Sequence, residues 1–157
     1  GSGCIAISLA KNLPNAKVSA LDISNDALEV ARENAKLNNV NIEFINADIF
    51  EYQSDKKYDI IVSNPPYVLE SQKSLMKRNI LDFEPELALF VEDEKPLKYY
   101  SSILDFSKTN LSKEGSLFFE LNQMFEKDLN SEINNYFYNV GFHKDLFNKS
   151  RFCAINI

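Results

Sequence analysis

A chain of 157 residues has room for one domain around one hydrophobic core, and 45% hydrophobic with 25% charged residues is an ordinary globular composition. No apolar run reaches the length of a membrane span and no signal peptide precedes the fold, so no membrane partner is expected. The net charge of −6 and the lack of a basic run argue against direct binding of a nucleic acid, which would favour a basic face.

The chain opens on Gly1-Ser2-Gly3 and passes directly into the helical pattern Cys4–Leu13. A glycine turn of this kind normally follows a strand, and none precedes it here. In a doubly wound sheet the first strand is central, and losing its buried side chains costs roughly 5–10 kcal/mol. That is comparable with the whole stability of a domain. The expectation is a fragment of a longer protein, with the first strand missing from this chain. Lys17–Asp22 then reads as a short buried strand. Ser24 is placed to cap a helix over Asp26–Asn38, with Ala27, Val30, Ala31 and Ala35 on one face. Asn41–Asn46 and Tyr58–Ser63 read as further short buried strands. The segment Leu69–Leu89 has little regular period and mixed charge, and is long enough to predict a loop over a binding site. Leu97–Leu111 and Phe125–Val140 carry helical period, with Gly141 placed to end the second. Gly115–Leu121 and Arg151–Ile157 read as strands, in which Phe118, Phe119, Phe152 and Ile155 supply β-favouring bulk. Strands alternating with helices argue for β-α-β units and a mostly parallel sheet. Cys4 and Cys153 are too few for a disulfide framework and lack metal-ligand spacing, which predicts two reduced thiols in a cytoplasmic protein.

Gly1-x-Gly3 before a helix is part of a nucleotide-binding turn: glycine lets the backbone approach a ligand, and the helix start offers unpaired amides. Asp22 ends the next strand about twenty residues on, where an acid accepts hydrogen bonds from ribose hydroxyls. The alternative is a surface Asp that caps the following helix. Asn46-Ala47-Asp48-Ile49-Phe50 ends the strand after that. There Asp48 is a candidate acceptor for an adenine amino group and Ile49 a candidate packing surface for the ring, with Asp48 as a plain turn residue the alternative. These features alone fit a nicotinamide enzyme as well as a methyltransferase.

Asn64-Pro65-Pro66-Tyr67 discriminates between them. Consecutive prolines directly after a parallel strand set a rigid loop where open α/β sheets bind ligands. They remove two N–H donors, so carbonyls dominate the turn, and they restrict Asn64 to extended geometry. Such a turn suits a flat NH₂ group, one hydrogen to the Asn64 side-chain carbonyl and one to the Pro65 backbone carbonyl. As a methyl arrives the nitrogen gains positive charge and both acceptors bind more tightly, which stabilises the transition state. Tyr67 packs on the flat group. No metal-ligand cluster or nucleophile–base pair is present, and His143, the single histidine, receives no role.

At this point the chain resembles the HemK-type N5-glutamine methyltransferases that modify peptide chain release factors. Gly1-Ser2-Gly3-Cys4-Ile5-Ala6-Ile7 resembles the second half of that family's cofactor motif, and Asn64-Pro65-Pro66-Tyr67-Val68 its catalytic signature. Met76, Asn79-Ile80-Leu81-Asp82-Phe83-Glu84-Pro85 and Ala88-Leu89-Phe90 follow the pattern of the loop after it. Lys144-Asp145-Leu146 and Arg151 resemble its C-terminal strand pair. The resemblance implies a Rossmann-like class I S-adenosylmethionine-dependent methyltransferase fold of seven strands, the last antiparallel, of which residues 1–157 hold six. It also implies a separate N-terminal helical substrate-binding domain that this chain lacks. The implied substrate is the glutamine of the Gly-Gly-Gln loop of a release factor. Gly1, Gly3, Asp22, Asp48, Ile49 and Asn64 would serve the cofactor, S-adenosylmethionine; Asn64, Pro65, Pro66 and Tyr67 would meet the glutamine, with Asn64, Pro65 and Tyr67 catalytic.

The chain departs from the family where Val91-Glu92 replaces a frequent glycine pair and where Asn122 and Asn148 stand for glycines, none of which is expected to touch the proposed chemistry. Asn-Pro-Pro-Tyr also occurs in methyltransferases of exocyclic base amines, which pose the same electronic problem. The acidic balance and the Asn79–Phe90 pattern favour a protein glutamine. A ribosomal protein glutamine and a non-catalytic binding fragment remain as alternatives.

Overall fold

The computed structural model describes residues 1–76, 78–136 and 139–156. They belong to two compact units, Gly1–Tyr52 and Gln53–Ile157.

The first unit runs α1 (Cys4–Asn12), β1 (Val18–Asp22), α2 (Asn25–Leu37) and β2 (Ile42–Asn46). β1 and β2 pair in parallel from Val18 opposite Ile42 to Asp22 opposite Asn46. Ile7, Ala35 and Ile42 form a buried cluster against which Ala6, Ala10, Val18, Ala20, Val40 and Phe44 pack. Ser24 caps α2 as expected, its Oγ accepting from the Ala27 N–H at 3.2 Å. The helix ends in a Schellman arrangement: Asn39 adopts φ 54° and donates to the Lys36 carbonyl, while Val40 donates to that of Ala35. Its buried face is Leu28, Ala31 and Ala35. Val30 does not belong to it and is 49% exposed, because two helical positions from Leu28 rotate a side chain about 200° away.

The second unit contains β3 (Tyr58–Ser63), β4 (Val68–Leu69), α3 (Arg78–Leu81), α4 (Glu86–Leu89), β5 (Phe90–Val91), α5 (Lys98–Asn110), β6 (Leu111–Glu120), α6 (Glu126–Asn134), β7 (Asn139–Lys144) and β8 (Ser150–Asn156). The main sheet has the order β3-β6-β8-β7. β3 and β6 are parallel, and β8 is antiparallel to both β6 and β7. Leu104, Leu117, Phe119, Leu121, Leu129, Ile133 and Ile155 are at most 1% exposed and form the core together with Tyr100. In α5, Tyr100, Ile103, Leu104 and Ser107 bury one stripe at helical spacing. Cys153 is buried and Cys4 exposed, both as free thiols.

Several expectations need correction. Phe125–Val140 is not one helix: α6 stops at Asn134, Phe137 and Tyr138 lie outside the described residues, and Val140 and Gly141 pair with Ile155 and Ala154 in β7. Cross-strand partners on β8 outweigh helical period there, and Gly141 lacks the positive φ that a helix-ending glycine needs. The segment Leu69–Leu89 is not irregular. It starts with a 3₁₀ helix over Glu70–Leu75, includes α3 and α4, and is closed by the parallel β4–β5 pair. The three short strands are not fully buried. In β3, Ile60 and Val62 are 48% and 38% exposed, because alternate residues share a face and these two lie with Phe118 on the sheet face opposite to that of the buried Leu117 and Phe119. Phe118 and Phe152 are likewise exposed, so Phe119 and Ile155 alone of the four expected bulky residues enter the core. β6 begins at Leu111, but its register shifts before the regular pairing of Ser116–Phe119 with β3. The Ile157 end of the last expected strand lies outside the described residues.

Candidate active site

In the first unit the glycine turn is built around one position. Gly3 has φ 82° and its carbonyl accepts the first hydrogen bond of α1, from Ile7 at 2.9 Å. A Cβ at Gly3 would stand 3.0 Å from that of Ala31, whereas one at Gly1 would meet nothing within 4 Å. The early amides of α1 have no intrahelical acceptor, as at any helix start. Asp22 ends β1, with the Gly1 backbone nitrogen against its Oδ2 and the Ser24 N–H donating to its Oδ1 at 2.9 Å. The cap of α2 is the Ser24 hydroxyl, so Asp22 is not the helix cap that the alternative reading required. Gly1 and Asp22 are thus brought together.

The end of β2 is tied to the end of β1 by a residue to which sequence reading assigned no role. Asn46 Nδ2 donates to the carbonyls of Asp22 and Ile23, at 3.1 and 2.8 Å. Asp48 follows, with Oδ1 accepting from the Phe50 N–H at 3.0 Å and its carbonyl from Glu51 and Tyr52. That is the Asx-turn geometry of the alternative reading. Ile49 is half-buried.

In the second unit Asn64-Pro65-Pro66-Tyr67 leaves the C-terminal end of β3 as the spacing predicts. Asn64 is exposed, Pro65 buried, and Pro66 and Tyr67 are half-buried. The Tyr67 hydroxyl donates to Glu120 Oε1 at 2.8 Å. Burial, then the hydrogen bond to Glu120 and its negative charge, push the Tyr67 pKa up to about 12, with Arg151 pulling the other way. The phenol therefore stays protonated at physiological pH. Behind it the Tyr100 hydroxyl donates to the Glu120 carbonyl at 3.0 Å, and its ring meets Phe119 edge-on at 5.1 Å. Burial above all raises the pKa of Tyr100, and burial pushes the Cys153 thiol up to about 12.

Glu120, Tyr100 and Arg151 were not among the expected site residues. Their signal in the sequence is faint, since an acid at the end of a strand has many uses. Asn122 stands near them: its side-chain amide lies 3.5 Å from the Tyr67 carbonyl, and its Oδ1 accepts from the Met124 N–H at 3.1 Å. It is thus beside the Asn64–Tyr67 turn, in contact with the Tyr67 backbone. Asn122, Gln123, Met124, Lys149 and Arg151 line an open cavity of about 380 Å³. Asn148 has φ 61° in the turn between β7 and β8, which explains how it replaces a glycine. Asp145 organises that turn, accepting from Phe147 and Lys149 at 2.9 and 3.0 Å, with the Arg151 guanidinium at 3.5 Å. These donors, the Lys149 amide foremost, hold its carboxyl below the usual range.

Residues 1–84 match the family model described as methyltransferase small domain. The chain is 47% identical to a release factor glutamine methyltransferase of Flavobacterium psychrophilum over 99% of its own length and 55% of that protein. It is 48% identical to one from Bacteroides thetaiotaomicron, over 99% of this chain and 57% of that protein. The chain thus spans little more than half the length of these relatives. Among solved structures, a methyltransferase from Pyrococcus furiosus superposes with a TM-score of 0.69 at 18% identity, covering 98% of this chain and 68% of that one. The fold is the Rossmann-like methyltransferase fold that the sequence implied. On these matches, the chain belongs to the methyltransferase small domain family.

Proposed function

We propose that the protein transfers a methyl group from S-adenosylmethionine to the side-chain amide nitrogen of a glutamine in the Gly-Gly-Gln loop of a peptide chain release factor. One observation supports the reaction type: the Asn64-Pro65-Pro66-Tyr67 turn leaves the C-terminal end of β3 in a chain matched by a methyltransferase family model, and its Tyr67 hydroxyl is engaged by Glu120. The phenol is therefore unsuited to act as a base. What the turn offers a substrate is a ring face and the carbonyls of Asn64 and Pro65, a set that matches a flat neutral amide. The substrate class rests on the relatives named release factor glutamine methyltransferase.

In this reading Asn64 and Pro65 each accept one amide hydrogen, and Pro66 and Tyr67 bound the amide. The N–CH₃ bond would form as the S–CH₃ bond breaks, S-adenosylhomocysteine would leave, and the methylated nitrogen would lose one proton to water. As the nitrogen turns pyramidal and positive, the two carbonyl dipoles stabilise it more than they stabilise the planar ground state. The cofactor supplies an electrophilic methyl on a sulfonium sulfur. Residues of the first unit suit it: the left-handed Gly3 opens a helix with unpaired amides, and Asp22 offers a carboxylate at a strand end. Gly1, Asp48 and Ile49 complete the proposed cofactor set. The reading implies a cytoplasmic enzyme whose partner is a protein, with no direct nucleic-acid contact. Among the described residues no helix is long and apolar enough to cross a membrane.

The test is peptide-level mass spectrometry of a release factor incubated with S-adenosylmethionine and the full-length protein. One added methyl on the Gly-Gly-Gln glutamine is expected. An unmodified glutamine, with methyl found instead on a ribosomal protein or a nucleic-acid base, would overturn the substrate assignment.

A further inference from the structure

Glu120 has no place in the reading above beyond holding a hydroxyl, yet it is anchored at both backbone and side chain beside the catalytic turn. Its backbone is held from two directions. It pairs with Phe152 at the end of β6, and the next residue, Leu121, donates to the Arg151 carbonyl at 2.8 Å. Its own carbonyl accepts from the fully buried Tyr100 of α5 at 3.0 Å. The side chain then reaches to Tyr67 with a 2.8 Å hydrogen bond. Tyr67 itself is constrained at its carbonyl by Asn122 and by the start of β4 immediately after it.

A tyrosine ring has two soft torsions, and pinning its hydroxyl fixes both. A carboxylate acceptor makes that pin stronger than a neutral one would be. Pro65 and Pro66 restrain the backbone on the other side of the ring. We propose that Glu120 is a positioning residue for methyl transfer: it acts through the Tyr67 hydroxyl to hold the ring face in the orientation that the acceptor amide packs against. This proposal rests on the methyl-transfer reading given above. It adds that the phenolic hydroxyl contacts Glu120 rather than substrate, so a hydroxyl-deleted variant and a carboxylate-deleted variant share one defect.

The experiment uses the full-length protein and the variants Glu120→Ala, Glu120→Gln, Tyr67→Phe and the double variant Glu120→Ala/Tyr67→Phe. Misplacing a reacting geometry by about 1 Å costs up to roughly a hundredfold, so Glu120→Ala is expected to lower kcat by about ten- to a hundredfold with the KM for S-adenosylmethionine unchanged. Glu120→Gln keeps an oxygen acceptor for the hydroxyl and should recover most of the rate. The double variant should lose no more than either single one, because both interrupt the same bond. A separate reading comes from ultraviolet titration of Tyr67, taken as the difference from Tyr67→Phe: about 12 in the parent and lower in Glu120→Ala, which removes the hydrogen bond and the negative charge but leaves the burial, the largest cause of the shift. Losses that multiply in the double variant, or an unchanged kcat in Glu120→Ala with a lowered Tyr67 titration, would overturn the proposal. The glutamine reading fails separately, as a parent protein inactive on release factor. The titration then decides the Glu120–Tyr67 coupling by itself, a fall supporting it and no change overturning it.

Discussion

Gly3 and Ala31 approach so closely that a side chain at position 3 would bring two Cβ atoms to 3.0 Å. The first turn of α1 is therefore seated on α2 through the absence of a side chain, at a residue whose φ of 82° also disfavours one. Gly3→Ala meets both penalties, which sum to about 2–5 kcal/mol from the left-handed backbone and overpacking. Gly1→Ala meets no neighbour within 4 Å and is expected to be near neutral. Urea melts of the two variants check the contrast, and equal stabilities would refute it.

Asn64 supplies one of the two proposed acceptors for the reacting amide. Removing a single such contact typically lowers turnover by about two to three orders of magnitude. Asn64→Ala is expected to show that loss in single-turnover methylation of a release factor. Near-normal turnover would mean that Asn64 does not hold the reacting nitrogen.

The raised pKa of Tyr67 has a consequence for stability. The phenol titrates near 10.0 when unfolded and about 12 when folded, so the unfolded chain releases its proton first as pH rises. Stability from this group is fully present below pH 10 and is lost as pH climbs through 12. Cys153 acts in the same direction from its ordinary 9.0 to about 12. Denaturant midpoints between pH 9 and 12 should therefore fall less steeply in Tyr67→Phe than in the parent. Identical slopes would show that the hydroxyl is not held as described.

Asn148 stands at φ 61° in the turn that Asp145 organises. Asparagine tolerates this region and a β-branched residue does not. Asn148→Val is expected to cost about 1–2 kcal/mol from the left-handed backbone alone, while Asn148→Gly should be neutral or mildly stabilising. Thermal melts distinguish them, and a Val variant as stable as the Gly variant would contradict the assignment.

Much of this was legible in the sequence because the signals are local. Ser24 caps α2 through atoms three residues apart, and the two prolines restrict their own neighbours. Tyr58–Ser63 carries the strand pattern to its observed ends. Where reading failed, a distant partner decided the outcome. Val140 and Gly141 continue a helical stretch on paper, but Ile155 and Ala154 on β8 claim them for a strand. Val30 was placed on the inner face of α2 by spacing alone, and Leu28 holds that place instead.

The sequence by itself determined the Asn64–Tyr67 turn, the glycine that opens α1 and the alternation of strands and helices, since each depends on the backbone freedom of a few adjacent residues. Only the tertiary structure decided that Glu120, 53 residues from Tyr67 in the chain, is the partner of its hydroxyl, and that Asn122 reaches its carbonyl. Those contacts arise from strand order and register, because β6 lies beside β3 and β8 beside β6. No short window of sequence encodes which side chains such pairing brings to one end of a sheet.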